Sequence, residues 1–381
     1  MKQNQLSFKL ELTIFLICLT ITACNRNPTK PALDHSNPPV KTTGTASIPT
    51  VTLTSPSAIS TATPTPTPIP SLTPTATPTA TLHPMSIAAL REQSFPGSHI
   101  ILENELEPGS NYRRFYASYL SDGLKIYGLL TIPNGEAPPD GWPAIVFNHG
   151  YIPPEEYHTT ERYIAYVDNL ARSQYVVFRI DYRGHDQSEG VAKGAYGDPG
   201  YLSDVLNAFN SLKQDPLVNP QRIGMWGHSM GGYLTLRAMV VDTEIHAGVI
   251  WAGVVASYAD MIALWKAPSE QVTPTPPSFA RRWRQNWVEQ YGSPAENPAF
   301  WNSISANSFL EDISGPLQLH HGSGDDTVPL IFSERLWQQM TDLSKPVELY
   351  IYDGDDHNLS RSFSLAMHRT IAFFDTYLKD K

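Results

Sequence analysis

The chain has 381 residues and a formal net charge of −10 at neutral pH, with no basic stripe, which argues against nucleic acid as a partner. Its two cysteines, Cys18 and Cys24, both lie near the start, so residues 25–381 contain no disulfide and no thiolate metal site. No H-E-x-x-H, phosphate-loop or G-x-G-x-x-G pattern is present, and no repeat of solenoid length.

Lys2 and Lys9 form a basic start, diluted by Glu11, ahead of an apolar run from Leu12 to Ala23. That run is too short to span a bilayer, which needs about 20 residues, and reads as the core of an export signal. It ends Ile21-Thr22-Ala23-Cys24, which resembles a bacterial lipobox. The resemblance implies cleavage before Cys24, a lipid on its sulfur, and a protein held on the outer face of the cell membrane. Residues 24–84 are dominated by Pro, Thr, Ser and Ala. Such a segment buries too little apolar surface to offset its ordering entropy and reads as a disordered tether. Residues 85–381 remain for one large domain.

Within that domain Tyr112–Leu120 and Leu124–Ile132 flank Ser121-Asp122-Gly123, which predicts a hairpin at a sheet edge. Ala144-Ile145-Val146-Phe147 is a continuous apolar run, as expected of a strand buried on both faces. A helix is expected over Glu161–Ser173 and a strand over Tyr175–Ile180, ending in a loop whose Asp181, Arg183 and His185 read as an active-site rim. Leu202, Val205, Leu206, Phe209 and Leu212 lie three or four apart and predict a helix over Tyr201–Gln214.

Arg222 to Tyr233 then reads strand, sharp turn, helix. Gly227-His228-Ser229-Met230-Gly231 fits G-x-S-x-G, a nucleophile elbow in which a strained turn lifts a serine hydroxyl above a sheet. Side chains at 227 or 231 would collide with the neighbouring strand and helix. Further strands are expected at Ala247–Trp251, Leu317–His320 and Val347–Tyr352, and a last helix carries Phe363, Met367, Ile371, Phe374 and Leu378. Strands alternating with helices predict an α/β fold with a mostly parallel sheet and helices on both faces. The rhythm breaks from about Val254 to Ile313, an insertion holding Trp265, Trp283, Trp287, Trp301 and the proline-rich run Val272–Pro277. It reads as a helical lid.

A serine hydroxyl needs a neighbouring base, and in this strand order the partners follow as an acid and then a histidine. Asp325, after the strand ending His320-His321-Gly322, is the expected acid, with Asp326 the alternative. His357, just past the Val347–Tyr352 strand, is the expected base. A tetrahedral oxyanion needs two N–H donors. Met230 N–H supplies one. Asn148-His149-Gly150-Tyr151 supplies the other through the Tyr151 N–H, or through the Tyr151 hydroxyl, with His149 bracing the loop. His228 is expected to pack against the elbow. His320 and His321 point to opposite faces of a strand and make poor metal ligands, so neither metal nor cofactor is expected.

These motifs are similar to those of the α/β-hydrolase superfamily and, within it, the catalytic domain of the prolyl oligopeptidase family. The likeness rests on Arg222-Ile223-Gly224 leading into Gly227–Tyr233, on Gly322, Asp325 and Val328-Pro329, and on His357, and runs from about residue 143 onward. It implies a serine peptidase working through Ser229, Asp325 and His357. Residues 85–142 leave no room for the β-propeller that such peptidases carry, and His149-Gly150-Tyr151 resembles esterase oxyanion loops equally well. A carboxylesterase is therefore the alternative, and a non-catalytic surface-binding module a third.

Overall fold

The computed structural model describes residues 82–265 and 279–379. The expected export signal, Cys24, nearly all of the expected tether and the proline-rich run of the insertion lie outside the described residues. The elements in chain order are α1 (Ile87–Glu92), β1 (Ile101–Leu106), β2 (Tyr112–Ser121), β3 (Leu124–Pro133), β4 (Trp142–Asn148), α2 (Ile164–Arg172), β5 (Val176–Ile180), α3 (Gly200–Lys213), β6 (Val218–His228), α4 (Met230–Val241) and β7 (Gly248–Trp251). There follow α5 (Tyr258–Leu264), α6 (Phe279–Tyr291), α7 (Pro298–Ile304), β8 (Leu317–Gly322), α8 (Ile331–Asp342), β9 (Val347–Tyr352) and α9 (Phe363–Phe374).

One nine-stranded sheet runs β1-β2-β3-β5-β4-β6-β7-β8-β9. The β2–β3 hairpin turns at Asp122 and Gly123, both with positive φ (51° and 79°), as the Asp-Gly signal requires. The sequence places this hairpin at the sheet edge, and the structure corrects that. β1 pairs outside β2, and its residues are mostly exposed, so no apolar alternation announced it. From β5 to β9 the strands are parallel.

The apolar runs are continuous because both faces of the sheet are covered. Ala144 and Val146 of β4 join a core cluster with α3 and α4 residues such as Val205, Phe209 and Leu234. Ile145 and Phe147 join a second cluster with Val167 and Leu170 of α2 and Met367 of α9. Successive side chains on a strand face opposite ways, so each residue feeds one helical layer.

The chain leaves β4, crosses by α2 to β5 on one side, and returns by α3 to β6 on the other. The strand order reverses there, which opens a crevice beyond the carboxyl ends of β4 and β6. The described part of the insertion is helical, as expected, and some of it belongs to the core. Trp301 is buried, and it and Ile304 join the same cluster as α3 and α4. The buried Arg237 of α4 donates to the Ile304 and Met85 carbonyls.

Candidate active site

Ser229 links β6 to α4 with φ 55° and ψ −116°. A non-glycine residue there costs on the order of 1–3 kcal/mol. Backbone bonds to the end of β7 and the segment after it hold it: Ser229 N–H donates to Trp251 C=O (3.0 Å), and Val254 N–H to Ser229 C=O (3.1 Å). The glycines are needed for close approach. A Cβ on Gly227 would strike the Gly231 carbonyl and the Thr235 hydroxyl, and one on Gly231 would strike the Asn148 carbonyl. Gly231 therefore meets the loop after β4, and Gly227 meets α4. Met230 opens α4, whose cap carbonyl, Ser229 C=O, accepts from Gly232 N–H (3.0 Å), so the Met230 N–H ahead of it has no carbonyl of the helix to bond.

The acid loop follows β8. The Asp325 side chain is fully buried, and its Oδ2 lies 2.7 Å from His357 Nδ1. Thr327 N–H (2.8 Å) and Val328 N–H (3.0 Å) donate to its Oδ1, and His321 Nε2 lies 3.1 Å from its Oδ2. Burial opposes ionisation, but the bonds from His321, His357 and Val328, with the charge of His357, outweigh it and hold this carboxyl well below the usual range. Asp326 is exposed and among the described residues its carboxylate accepts from its neighbour Thr327 alone, so the structure brings Asp325, not Asp326, to His357. A carboxylate only accepts, so His357 Nδ1 carries a proton, and in the neutral ring Nε2 is the nitrogen with the free lone pair. Among the described residues no hydrogen bond joins His357 to the Ser229 hydroxyl, though both line one cleft of about 370 Å³. Such bonds tighten in substrate complexes.

The loop after β4 faces the elbow. Its polar groups are largely spent: Tyr182 O–H donates to His149 C=O (2.9 Å), His149 Nδ1–H to Gly150 C=O (2.7 Å), and Gly150 N–H to the Tyr163 hydroxyl (2.9 Å). His149 is buried and stacks on Tyr157 at 4.6 Å, a brace as expected. Tyr151 and Met230, the two expected oxyanion residues, line a second cavity, of about 110 Å³, walled by Tyr196, Tyr201 and Trp283. Trp283 is thus pocket wall as well as core, whereas Trp301 is core.

Asp181 and His185 are not a rim. Both are buried, because β5 ends beneath the loop rather than at the surface. Asp181 accepts from the Tyr157 and Thr159 hydroxyls at 2.6 Å each. Arg183 pairs with the buried Asp204 at 2.7 Å. His320 and His321 face apart, His320 toward Tyr352 and Gln318, His321 toward Ser333 and Asp325. Among the described residues no group of three or more His, Cys, Asp or Glu side chains is placed to hold a metal. Sequence reasoning missed His321, whose contact with Asp325 depends on the turn between them, and Tyr163, which fell inside a predicted helix. Arg179, a lone charge in an apolar strand, was the available signal for the buried polar layer around Tyr163.

A nucleophile elbow over a mostly parallel sheet, with helices on both faces, defines an α/β-hydrolase-fold serine hydrolase. The chain belongs to the prolyl oligopeptidase family, whose pattern matches residues 162–381. It is 28% identical over 251 residues to the uncharacterized peptidase YtmA of Bacillus subtilis, covering 66% of this chain and 88% of that one. It is 25% identical to the uncharacterized peptidase YuxL of the same organism, covering 63% of this chain and 35% of YuxL. The Pyrococcus horikoshii acylaminoacyl peptidase structure superposes with a TM-score of 0.56 at 22% identity, over 71% of this chain and 43% of its own. An acetyl xylan esterase from Paenibacillus superposes with a TM-score of 0.54 at 18% identity, over 77% of this chain and 92% of its own. At these identities the two structures report the fold alone.

Proposed function

We propose that this chain is an exported, lipid-anchored serine peptidase of prolyl oligopeptidase type that passes an acyl group to water through an acyl-enzyme on Ser229. His357 Nε2 takes the Ser229 proton as Oγ attacks the carbonyl, then gives it to the leaving amine. Water adds by the same route in reverse. Asp325 fixes the His357 tautomer and stabilises the imidazolium. The oxyanion sits between Met230 N–H and Tyr151 N–H. The observation that carries this reading is the 2.7 Å Asp325–His357 pair beside the cleft that Ser229 lines. The match along 88% of the uncharacterized peptidase YtmA supports a peptidase of this length.

A carboxylesterase on the same residues is the second reading. The His149-Gly150-Tyr151 loop, which resembles esterase oxyanion loops, favours it. A fluorophosphonate probe should label the wild type and not Ser229→Ala. Rates on a p-nitrophenyl acyl ester and a prolyl p-nitroanilide, taken in parallel, then separate the two readings. The aromatic cavity is the acyl or side-chain pocket in either case, so Trp283→Ala should raise KM about tenfold with kcat held.

Residues 1–23 are proposed as the signal and 24–84 as the tether of the domain over 85–381. Cys24→Ser should move the protein from the membrane pellet to the soluble fraction. A variant still in the pellet would remove the anchor from the reading.

A further inference from the structure

We propose that Tyr163 and His228 are positioning residues that tie the oxyanion loop, the nucleophile elbow and the His357 loop into one unit. This rests on the hydrolase reading above. Three loops leave the ends of three different strands, β4, β6 and β9. A neutral hydrogen-bond chain joins them: Gly150 N to the Tyr163 hydroxyl at 2.9 Å, that hydroxyl to His228 Nδ1 at 2.8 Å, and His228 Nε2 to the His357 carbonyl at 3.0 Å.

Each direction in this chain is forced. The His357 carbonyl only accepts, so His228 Nε2 carries its proton. Burial, with His357 alongside, lowers the His228 pKa to about 3, so the ring is neutral and Nδ1 is an acceptor. The Tyr163 O–H therefore donates to Nδ1, and its oxygen is left to accept from Gly150 N–H. The Gly150 N–H bond to Tyr163 fixes the His149–Gly150 peptide, and the Gly150 carbonyl, which accepts from His149 Nδ1–H at 2.7 Å, fixes the following peptide that carries the Tyr151 N–H. The Tyr151 N–H is then the group of that loop left to face an oxyanion.

Two further observations show that the arrangement is built. A Cβ on Gly150 would lie 2.7 Å from the Tyr163 hydroxyl, 3.1 Å from His228 Nδ1 and 3.2 Å from Ser229 Cβ, so the loop is pressed onto the elbow at this point. Arg162 and Tyr163 both hold positive φ, 55° and 49°, immediately before α2. The buried Arg179 of β5 donates to the carbonyls of Thr159, Glu161 and Arg162 and secures that turn. Backbone strain maintained by a buried guanidinium places one hydroxyl where three loops meet.

The test compares Tyr163→Phe, His228→Gln and His228→Leu in the full chain. The readouts are kcat and KM on an ester or amide the wild type turns over, Ki for an aryl trifluoromethyl ketone, and Tm. The ketone forms a hemiketal oxyanion with the serine and reports the oxyanion site directly. Tyr163→Phe should lower kcat about 10- to 100-fold with KM within about twofold, and raise the ketone Ki in proportion, because misplaced oxyanion donors act on the transition state. His228→Gln keeps one donor and one acceptor and should stay within a few-fold of wild type. His228→Leu keeps neither and should match or exceed the Tyr163→Phe loss. The proposal is overturned if Tyr163→Phe leaves kcat and the ketone Ki within twofold. It is equally overturned if the activity lost by these variants follows only the folded fraction that Tm reports, or if Gln and Leu at 228 are equivalent. A wild type that neither takes the fluorophosphonate at Ser229 nor turns over any ester or amide sinks the hydrolase reading, and this proposal with it.

Discussion

Two aspartates lie just past the ends of parallel strands, and the protein treats them in opposite ways. Asp325 follows β8 and is held ionised far below the usual range. Asp181 follows β5, and burial pushes its pKa up to about 6. Both side chains are withdrawn from water, so burial alone does not distinguish them. The donors do. Asp325 receives two backbone N–H groups and two imidazoles. Asp181 receives two hydroxyls, and it shares the Thr159 hydroxyl with Asp186, whose own oxygen is 2.9 Å from it. One hydroxyl has one proton, so it cannot serve two carboxylates at once. Fixed N–H dipoles and an ionisable base stabilise a charge, whereas a second carboxylate opposes it.

The largest effect that tests this contrast is on activity. Asp325→Asn should reduce kcat by about 10⁴-fold, because the amide cannot hold the working His357 tautomer. Asp326→Asn should stay within a few-fold. If Asp326→Asn were the worse of the two, the acid would be misassigned.

Asp181→Asn should act on stability through pH. The folded protein keeps the Asp181 proton up to about pH 6, where an unfolded carboxyl has released it near 3.8. The folded state therefore binds more protons in that window, and this group lowers stability as pH rises from about 4 to 6. Asparagine copies the protonated acid, accepting from Tyr157 and donating to Thr159. The variant should gain about 3 kcal/mol relative to wild type between pH 4 and pH 7. Urea unfolding across that range measures it, and a relative loss with rising pH would reverse the assignment. Asp325 has the opposite sign: its depressed pKa contributes stability above the unfolded value that is lost as pH falls.

Removing one hydroxyl donor should sharpen the picture. Tyr157→Phe should cost about 1–3 kcal/mol and move the Asp181 break to higher pH. The smallest effect is expected from Asp186→Asn. It removes the competing carboxylate, so the break should move to lower pH, with global stability changed by about 1 kcal/mol or less. A break that stays put in both variants would mean that the surroundings named here do not set the Asp181 pKa.

The sequence by itself determined the layered α/β fold, the hairpin turn at Asp122-Gly123, the elbow at Gly227–Gly231 and the order Ser229, Asp325, His357. These are local signals, because strand periodicity, positive-φ turns and close-packed glycines are written in consecutive residues. It did not disclose β1, whose exposed residues lack a buried face, nor the true start of α2 at Ile164. That start is set by two left-handed residues that Arg179 secures from a different strand. The insertion was legible as a tryptophan-rich interruption, but which tryptophan is core and which is pocket wall was not. Trp301 and Trp283 have the same side chain, and only their surroundings separate them: Trp301 lies among Tyr258, Trp287 and Phe300, whereas Trp283 also meets Tyr196 and Gly197 of the loop at 192–197. The charge states of Asp181 and Asp325 were likewise beyond the sequence. Each depends on donors brought together from separate loops, and a hydrogen bond reports distance in space, not separation along the chain.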